Sequence, residues 1–172
     1  VNTSTFAVAT SAASLEYDTQ DGIQQCPFII DANHVILFWG GGGNLGKAQI
    51  FTINTSTWAV STAAAFKTYG VFGSRNACYA IDSTHYIDFW NENANNARGQ
   101  VFEVNTSTWA ITTAGAVLQY MTQNVNRHYI QQVDANHFLL VHGHGSTGAN
   151  ISATVFEVNT STWAITTAAA TL

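Results

Sequence analysis

The stretch VNTSTWAITTA, Val104 to Ala114, recurs letter for letter from Val158 to Ala168, and looser copies stand at Ile53–Ala63 (INTSTWAVSTA) and Val1–Ser11 (VNTSTFAVATS). Its marker residues Asn2, Asn54, Asn105 and Asn159 are 52, 51 and 54 residues apart, so the chain is a tandem array. A period of that size belongs to solenoids, propellers or linear arrays, and the content of one unit decides among them.

In the unit Ala77–Ala114, the run CYAID turns at Asp82-Ser83-Thr84 into HYIDFW. After the polar loop NENANNARG come QVFEV, a turn at Asn105–Thr108, and WAITTA. Short runs rich in β-branched and aromatic residues, bounded by Asn, Asp, Ser or Gly, are the signature of strands and hairpins. The first unit repeats the frame with CPFIID, HVILFW, AQIFTI and WAVSTA, and the third with YIQQVD, HFLLVH, TVFEV and WAITTA. The expectation is an all-β chain of three four-stranded antiparallel units, strands A to D, arranged as β-propeller blades. A small sheet cannot bury both faces alone and must lean on its neighbours. The expected boundaries are a surplus strand D at 1–16, then units at 17–66, 67–117 and 118–172.

Three blades fall short of the usual four to eight. Either further repeats of the same chain complete the ring, or copies of the chain join head to tail, with an open filament as the non-closing version. The surplus strand favours a piece of a longer array.

The repeated Asn-Thr-Ser-Thr reads as a tight C–D turn in which Asn and the hydroxyls bond back to the backbone. It also makes Asn2, Asn54, Asn105 and Asn159 formal glycosylation sequons, although a repeated turn explains all four without sugar. The aromatic that follows (Phe6, Trp58, Trp109, Trp163) is expected to pack between units. A second element, Asp-x-x-His, recurs at Asp31–His34, Asp82–His85 and Asp134–His137. A metal or acid–base pair in every unit is one reading. An A–B hairpin capped by Asp, with His opening strand B, is the plainer one.

On these residues the unit resembles the kelch family of propeller repeats. Gly40 and Gly41 end strand B, and Phe51 to Trp58, Phe102 to Trp109 and Phe156 to Trp163 repeat one seven-residue step. Asp-Ala-Asn-His and Asn-Thr-Ser-Thr-Trp also look like repeats of bacterial and phage surface or tail proteins. The resemblance implies a propeller and transfers no catalytic residue.

Only 9% of the residues are charged, against about 25% in ordinary soluble proteins. With a net charge of −5 and five basic residues, Lys47, Lys67, Arg75, Arg98 and Arg127, the chain has no footprint for nucleic acid. No apolar run approaches the ~20 residues of a helical span, so no membrane insertion is expected. Cys26 and Cys78 read as buried thiols, with a disulfide between neighbouring units as the alternative.

The A–B and C–D turns are short and alike. The B–C loops (GGGGNLGK, NENANNARG, HGHGSTGANIS) and D–A connections (DTQDGIQQ, GVFGSRN, MTQNVNRH) are longer and differ, which marks their end of the array as the candidate binding surface. Tyr17, Tyr69 and Tyr120, each fifteen residues after the repeated Asn, join Trp39 and Trp90 as aromatic platforms or as packing between units. Asn44, Lys47, Arg75, Glu92, Arg98, Arg127 and His128 supply polar groups suited to sugar hydroxyls. His142 and His144, with His128 nearby, form a weak metal candidate. Asp88 interrupts strand B where the other units carry Leu37 and Leu140, and with Glu92 it could form a glycosidic pair. The expected function is a non-enzymatic extracellular recognition module on a cell or virion surface, lectin-like and without a cofactor. A structural block of a fibre, filament or phage tail appendage is the alternative, and a glycoside-active enzyme a distant one.

Overall fold

The computed structural model describes residues 10, 12–20, 22–41, 45–71, 74–92, 96–145 and 150–168, leaving aside the side chains of Val71, Ser74 and Arg75. The first sheet holds β1 (Ile23–Ile29), β2 (His34–Gly41), β3 (Leu45–Ile53), β4 (Val60–Thr62) and β5 (Lys67–Val71). The second holds β6 (Ser74–Ala80), β7 (His85–Glu92), β8 (Asn96–Val104), β9 (Ile111–Thr113) and β10 (Leu118–Met121). The third holds β11 (Val125–Gln132), β12 (His137–His144), β13 (Asn150–Val158) and β14 (Ile165–Thr167). Every pairing is antiparallel, and there is no helix among the described residues.

Strand D lies where the sequence places it, shortened to β4, β9 and β14, but the first two sheets each gain a further strand. β4 pairs with the Phe51–Ile53 end of β3, and β5 then returns to the Leu45–Ala48 end of the same strand. β9 and β10 divide β8 in the same way. Residues 67–71 and 118–121 therefore close the sheet before them, where the repeat phase opens a new unit at 67 and 118. A glutamine on strand C holds the bend between the two strands: Gln49 Nε2 donates to the Ala64 carbonyl (3.1 Å), and Gln100 Nε2 to that of Gly115 (2.8 Å). The D–A connections shrink to 72–73 and 122–124 and the B–C connections to 42–44, 93–95 and 145–149, so neither is longer than the C–D turns at 54–59, 105–110 and 159–164, and the expected contrast of long and short loops does not hold. The surplus strand at 1–16 lies mostly outside the described residues, and 12–20 contain no strand.

The repeated turn explains itself. Asn105 Oδ1 accepts from the backbone N–H of Ser107 and Thr108, Trp109 N–H reaches back to the Asn105 carbonyl (2.7 Å), and Asn105 N–H bonds Ala110 O. Asn54 and Asn159 repeat the cap. The single turn so formed ends with its tryptophan in the left-handed region, at φ 60° for Trp58, 59° for Trp109 and 56° for Trp163. That conformation is unfavourable for a bulky residue, so something else must favour the ring there. For Trp109 and Trp163 the compensation lies in the neighbouring sheet. Trp109 stacks on His34 and Trp163 on His85, both with centroids 3.6 Å apart.

Each stacked histidine is held by its own turn. Asp31 Oδ1 accepts from the backbone N–H of Asn33 and His34, and both carboxylate oxygens lie 2.9 Å from His34 Nδ1. Asp82 and Asp134 do the same for His85 and His137. The N–H of Asn33 and the His34 ring hold the Asp31 carboxyl below its ordinary range; the N–H of Asn136 and the His137 ring do so for Asp134. At Asp82 partial burial works upward and is outweighed by the N–H groups of Thr84 and His85. The two repeated motifs are thus halves of one joint between consecutive sheets. Asn105→Ala should lower stability by about 0.5–2 kcal/mol, the cost of losing such a cap; chemical denaturation measures it, and an unchanged midpoint would refute the capping role.

The sheets pack face to face. Ile36, Phe38, Ala48 and Ile50 of the first meet Tyr86, Trp90, Phe102 and Val104 of the second. Ile87, Phe89 and Val101 on the other face of the second meet Phe138, Leu140, Phe156 and Val158 of the third. The middle sheet is therefore buried on both faces, and its strands read as near-continuous apolar runs. The first strands of the sheets lie against one another, β1 on β6 and β6 on β11.

Candidate functional site

Strands B and C run side by side to the end of each sheet where the B–C loops spring, and register places Trp39 opposite Lys47, Trp90 opposite Arg98, and His142 opposite Ser152. These equivalent positions carry three different polar sets. At the first, Asp18 Oδ2 takes hydrogen bonds from Trp39 Nε1 and Lys47 Nζ, each 2.9 Å. Partial burial pushes Asp18 up, but the Lys47 ammonium, the Trp39 indole and the Gln20 backbone N–H together pull it below the usual carboxylate range. At the second, Arg98 pairs with Glu92. At the third, His144 spans Gln123 Oε1 (2.9 Å) and Ser152 Oγ (3.0 Å).

The first set borders a cleft of about 320 Å³ lined by Glu16, Tyr17, Asp18, Thr19, Gln20, Trp39, Lys47 and Phe66. Lys47 also lies over the Phe66 ring, 5.3 Å from its centroid. The cleft combines aromatic walls with carboxylate, ammonium, hydroxyl and amide groups, the mixture that grips a sugar ring or another polyhydroxylated molecule.

The aromatic candidates do not form an open platform. Trp39, Trp90 and Tyr69 are buried. Tyr17 packs against Trp39 and Phe51, Tyr69 against Trp90 and Phe102, and Tyr120 against His142 and Phe156, edge-on in every pair but the tilted Tyr69–Phe102, one arrangement written three times. Tyr69 and Tyr120 close the gaps between consecutive sheets, while Tyr17, itself exposed, covers Trp39 on the outer face of the first sheet, so Tyr69, Trp39 and Trp90 leave the accessible surface except where Trp39 edges the cleft. Gly70, at φ +63°, stands where Asp18 stands opposite Trp39; a Cβ there would lie 2.6 Å from Trp90 Nε1, which is buried without a partner among the described residues. Glu92 and Arg98 remain at the B–C end, and Arg127 is exposed on the outer face of the third sheet. Asn44 and the Arg75 side chain lie outside the described residues.

His128 Nε2 meets the Tyr120 hydroxyl at 2.5 Å and is buried between the second and third sheets. His142 is buried with both ring nitrogens unpartnered among the described residues, and burial, with His144 beside it, lowers it to about 4, so the ring is neutral. Both nitrogens of His144 are engaged, and no group of three metal-ligating side chains occurs among the described residues. Cys26 and Cys78 are free thiols.

Sequence reasoning missed a buried polar cluster between the first two sheets. Tyr69 donates its hydroxyl to Asp88 Oδ2 (2.5 Å), the Cys78 thiol reaches Oδ1 (3.0 Å), and Asn76 Nδ2 donates to the Tyr69 oxygen (3.1 Å). Burial pushes the Asp88 carboxyl well above its ordinary range, and these two donors offset only part of that. The signal available was a lone Asp where the other units carry leucine. Asp18 was missed because it leaves the repeat pattern: the residue after the matching tyrosine is Gly70 or Met121. The chain matches no protein-family model, and comparison with curated proteins finds no relative. Fold and site together define an all-β repeat protein of three stacked antiparallel sheets.

Proposed function

We propose that the chain is a non-enzymatic recognition module of kelch-like β-propeller type, displayed outside the cell or on a cell or virion surface, that binds a glycan or similar polyhydroxylated ligand at its B–C end. The observation that carries this reading is the cleft at Asp18, Trp39 and Lys47, set where equivalent positions of a repeated frame hold different polar groups. Sites of recognition sit on the variable parts of a constant scaffold. The propeller is supported by consecutive face-to-face sheets whose first strands lie side by side, as radial sheets around an axis do. The absence of catalysis is supported by the carboxylates themselves. Asp88 is fully buried and cannot meet a substrate, while Glu92 is held by Arg98.

A glycan array probed with the folded 172-residue chain tests the reading. A hit is expected, and Lys47→Ala should weaken it about ten-fold or more, since a charged hydrogen bond is worth about 1.5–3 kcal/mol. No hit, or equal binding by the variant, would refute the assignment. A structural building block is the second reading, favoured by the apolar faces that the outer two sheets leave uncovered.

A further inference from the structure

Going beyond ligand recognition, we propose that a second copy of this chain docks head to tail: its third sheet covers the open face of the first sheet, Trp58 stacks on its His137, and Leu15–Asp18 adds a strand to its β13.

The open face is an interface already built twice within the chain. Tyr86, Phe102, Val104 and Ile111 of the second sheet are covered by the first, and Phe138, Phe156, Val158 and Ile165 of the third by the second. The same positions of the first sheet are Val35, Phe51, Ile53 and Val60, and they line an apolar groove of about 300 Å³. At the other end of the stack, Tyr129, Val141 and Ile151 line a cavity of about 430 Å³ on the outer face of the third sheet. Tyr129 is 65% exposed and Ile151 76%. Val141 holds the position that Phe38 and Phe89 fill in the two internal joints. One end thus offers the face that receives a preceding sheet, and the other the face that receives a following one. Such a pair of unlike faces is what a heterologous contact joins.

The His–Trp joint repeats the argument. Two of its three copies are made within the chain, His34 with Trp109 and His85 with Trp163. Trp58 keeps the same left-handed backbone and is 55% exposed. His137 is held by Asp134 with no ring stacked on it among the described residues. The two unmatched halves lie at opposite ends of the stack.

Strand addition follows from register. Thr68 faces Lys47 and Lys67 faces Ala48; Gln119 faces Arg98 and Leu118 faces Gly99. On β13 the matching residues are Ser152 and Ala153, whose outer edge meets no strand among the described residues. Leu15 and Glu16 follow Asn2 by the same 13 and 14 residues that separate Lys67 and Thr68 from Asn54. Tyr17 already packs on Trp39 and Phe51 as Tyr69 packs on Trp90 and Phe102. Glu16 of one copy therefore belongs opposite Ser152 of the other. The register just beyond varies, since Gly46 faces Tyr69 and Ala97 faces Met121, and Ile151 occupies this adaptable step. An open edge and a matching segment are the ingredients of strand addition between chains.

The test mixes two full-length single variants, Glu16→Cys and Ser152→Cys, under oxidised glutathione. A disulfide between the two introduced thiols, located by peptide mapping, is expected in the mixture, in dimers or longer head-to-tail polymers, and links distinct copies by construction. Sedimentation of the unmodified chain should show association at micromolar concentration. Leu37→Lys, at the open face, should weaken it about a hundred-fold, and Trp58→Ala about ten-fold, with far-UV circular dichroism unchanged. A chain that stays monomeric, or one that associates without the mixed disulfide, overturns the proposal.

Discussion

Phe102→Ala should destabilise the folded chain by about 3–5 kcal/mol, the usual cost of truncating a fully buried phenylalanine. Its ring has no exposure and lies 4.7 Å from Tyr69 and 5.5 Å from Phe38, so it fills the joint between the first two sheets. The cavity left behind cannot collapse, because strands on both sides are pinned by their ladders. Phe51 is the same residue of the repeat at the groove no sheet covers, and its truncation should cost about half as much, since the space opens to water. Urea denaturation of both variants at one pH measures the ordering. Equal losses would show that the joint between the sheets carries no special share of the stability.

The strands and hairpins were legible because their causes are local. Alternating β-branched runs, an Asx cap at Asn105 and an Asp-capped turn at Asp82 all act within a few residues. The added strands β5 and β10 were not legible because they pair with strand C across an Ala-rich bend, and nothing local distinguishes Lys67–Val71 closing one sheet from opening the next. The aromatic spacing was visible, yet only the pleat decides which face a ring takes. That choice turned Trp90 and Tyr69 inward and set Trp39 under Tyr17, so the cleft joins Lys47 and Asp18 to the edges of Tyr17, Trp39 and Phe66. Both halves of the His–Trp joint were seen as separate repeats, and their partnership spans consecutive sheets, beyond the reach of a pattern within one unit.

Asp88→Asn should make the chain more stable at neutral pH and flatten part of its pH dependence. Burial holds the native Asp88 carboxyl well above its ordinary range, whereas in the unfolded chain it ionises near pH 3.9. Between those two values the native state binds one more proton than the unfolded state, so stability is fully present below about pH 3.9 and falls as pH rises towards the native value, by up to about 1.4 kcal/mol per pH unit. Tyr69 and Cys78 are pushed upward as well, which keeps both neutral across this window and leaves the slope to Asp88. Asp18, Asp31, Asp82 and Asp134 are shifted downward and act oppositely, contributing stability above the unfolded value that is lost as pH falls. They are common to both proteins and cancel in the difference. Asparagine keeps an oxygen for the Tyr69 hydroxyl and holds no ionisable proton, so the variant's advantage should be small at pH 4 and grow as pH rises towards the raised native value. Paired denaturant titrations at several pH values measure that gap; curves that stay parallel would mean that Asp88 is charged in the folded chain, stabilised there by Tyr69 and Cys78 against the cost of its burial.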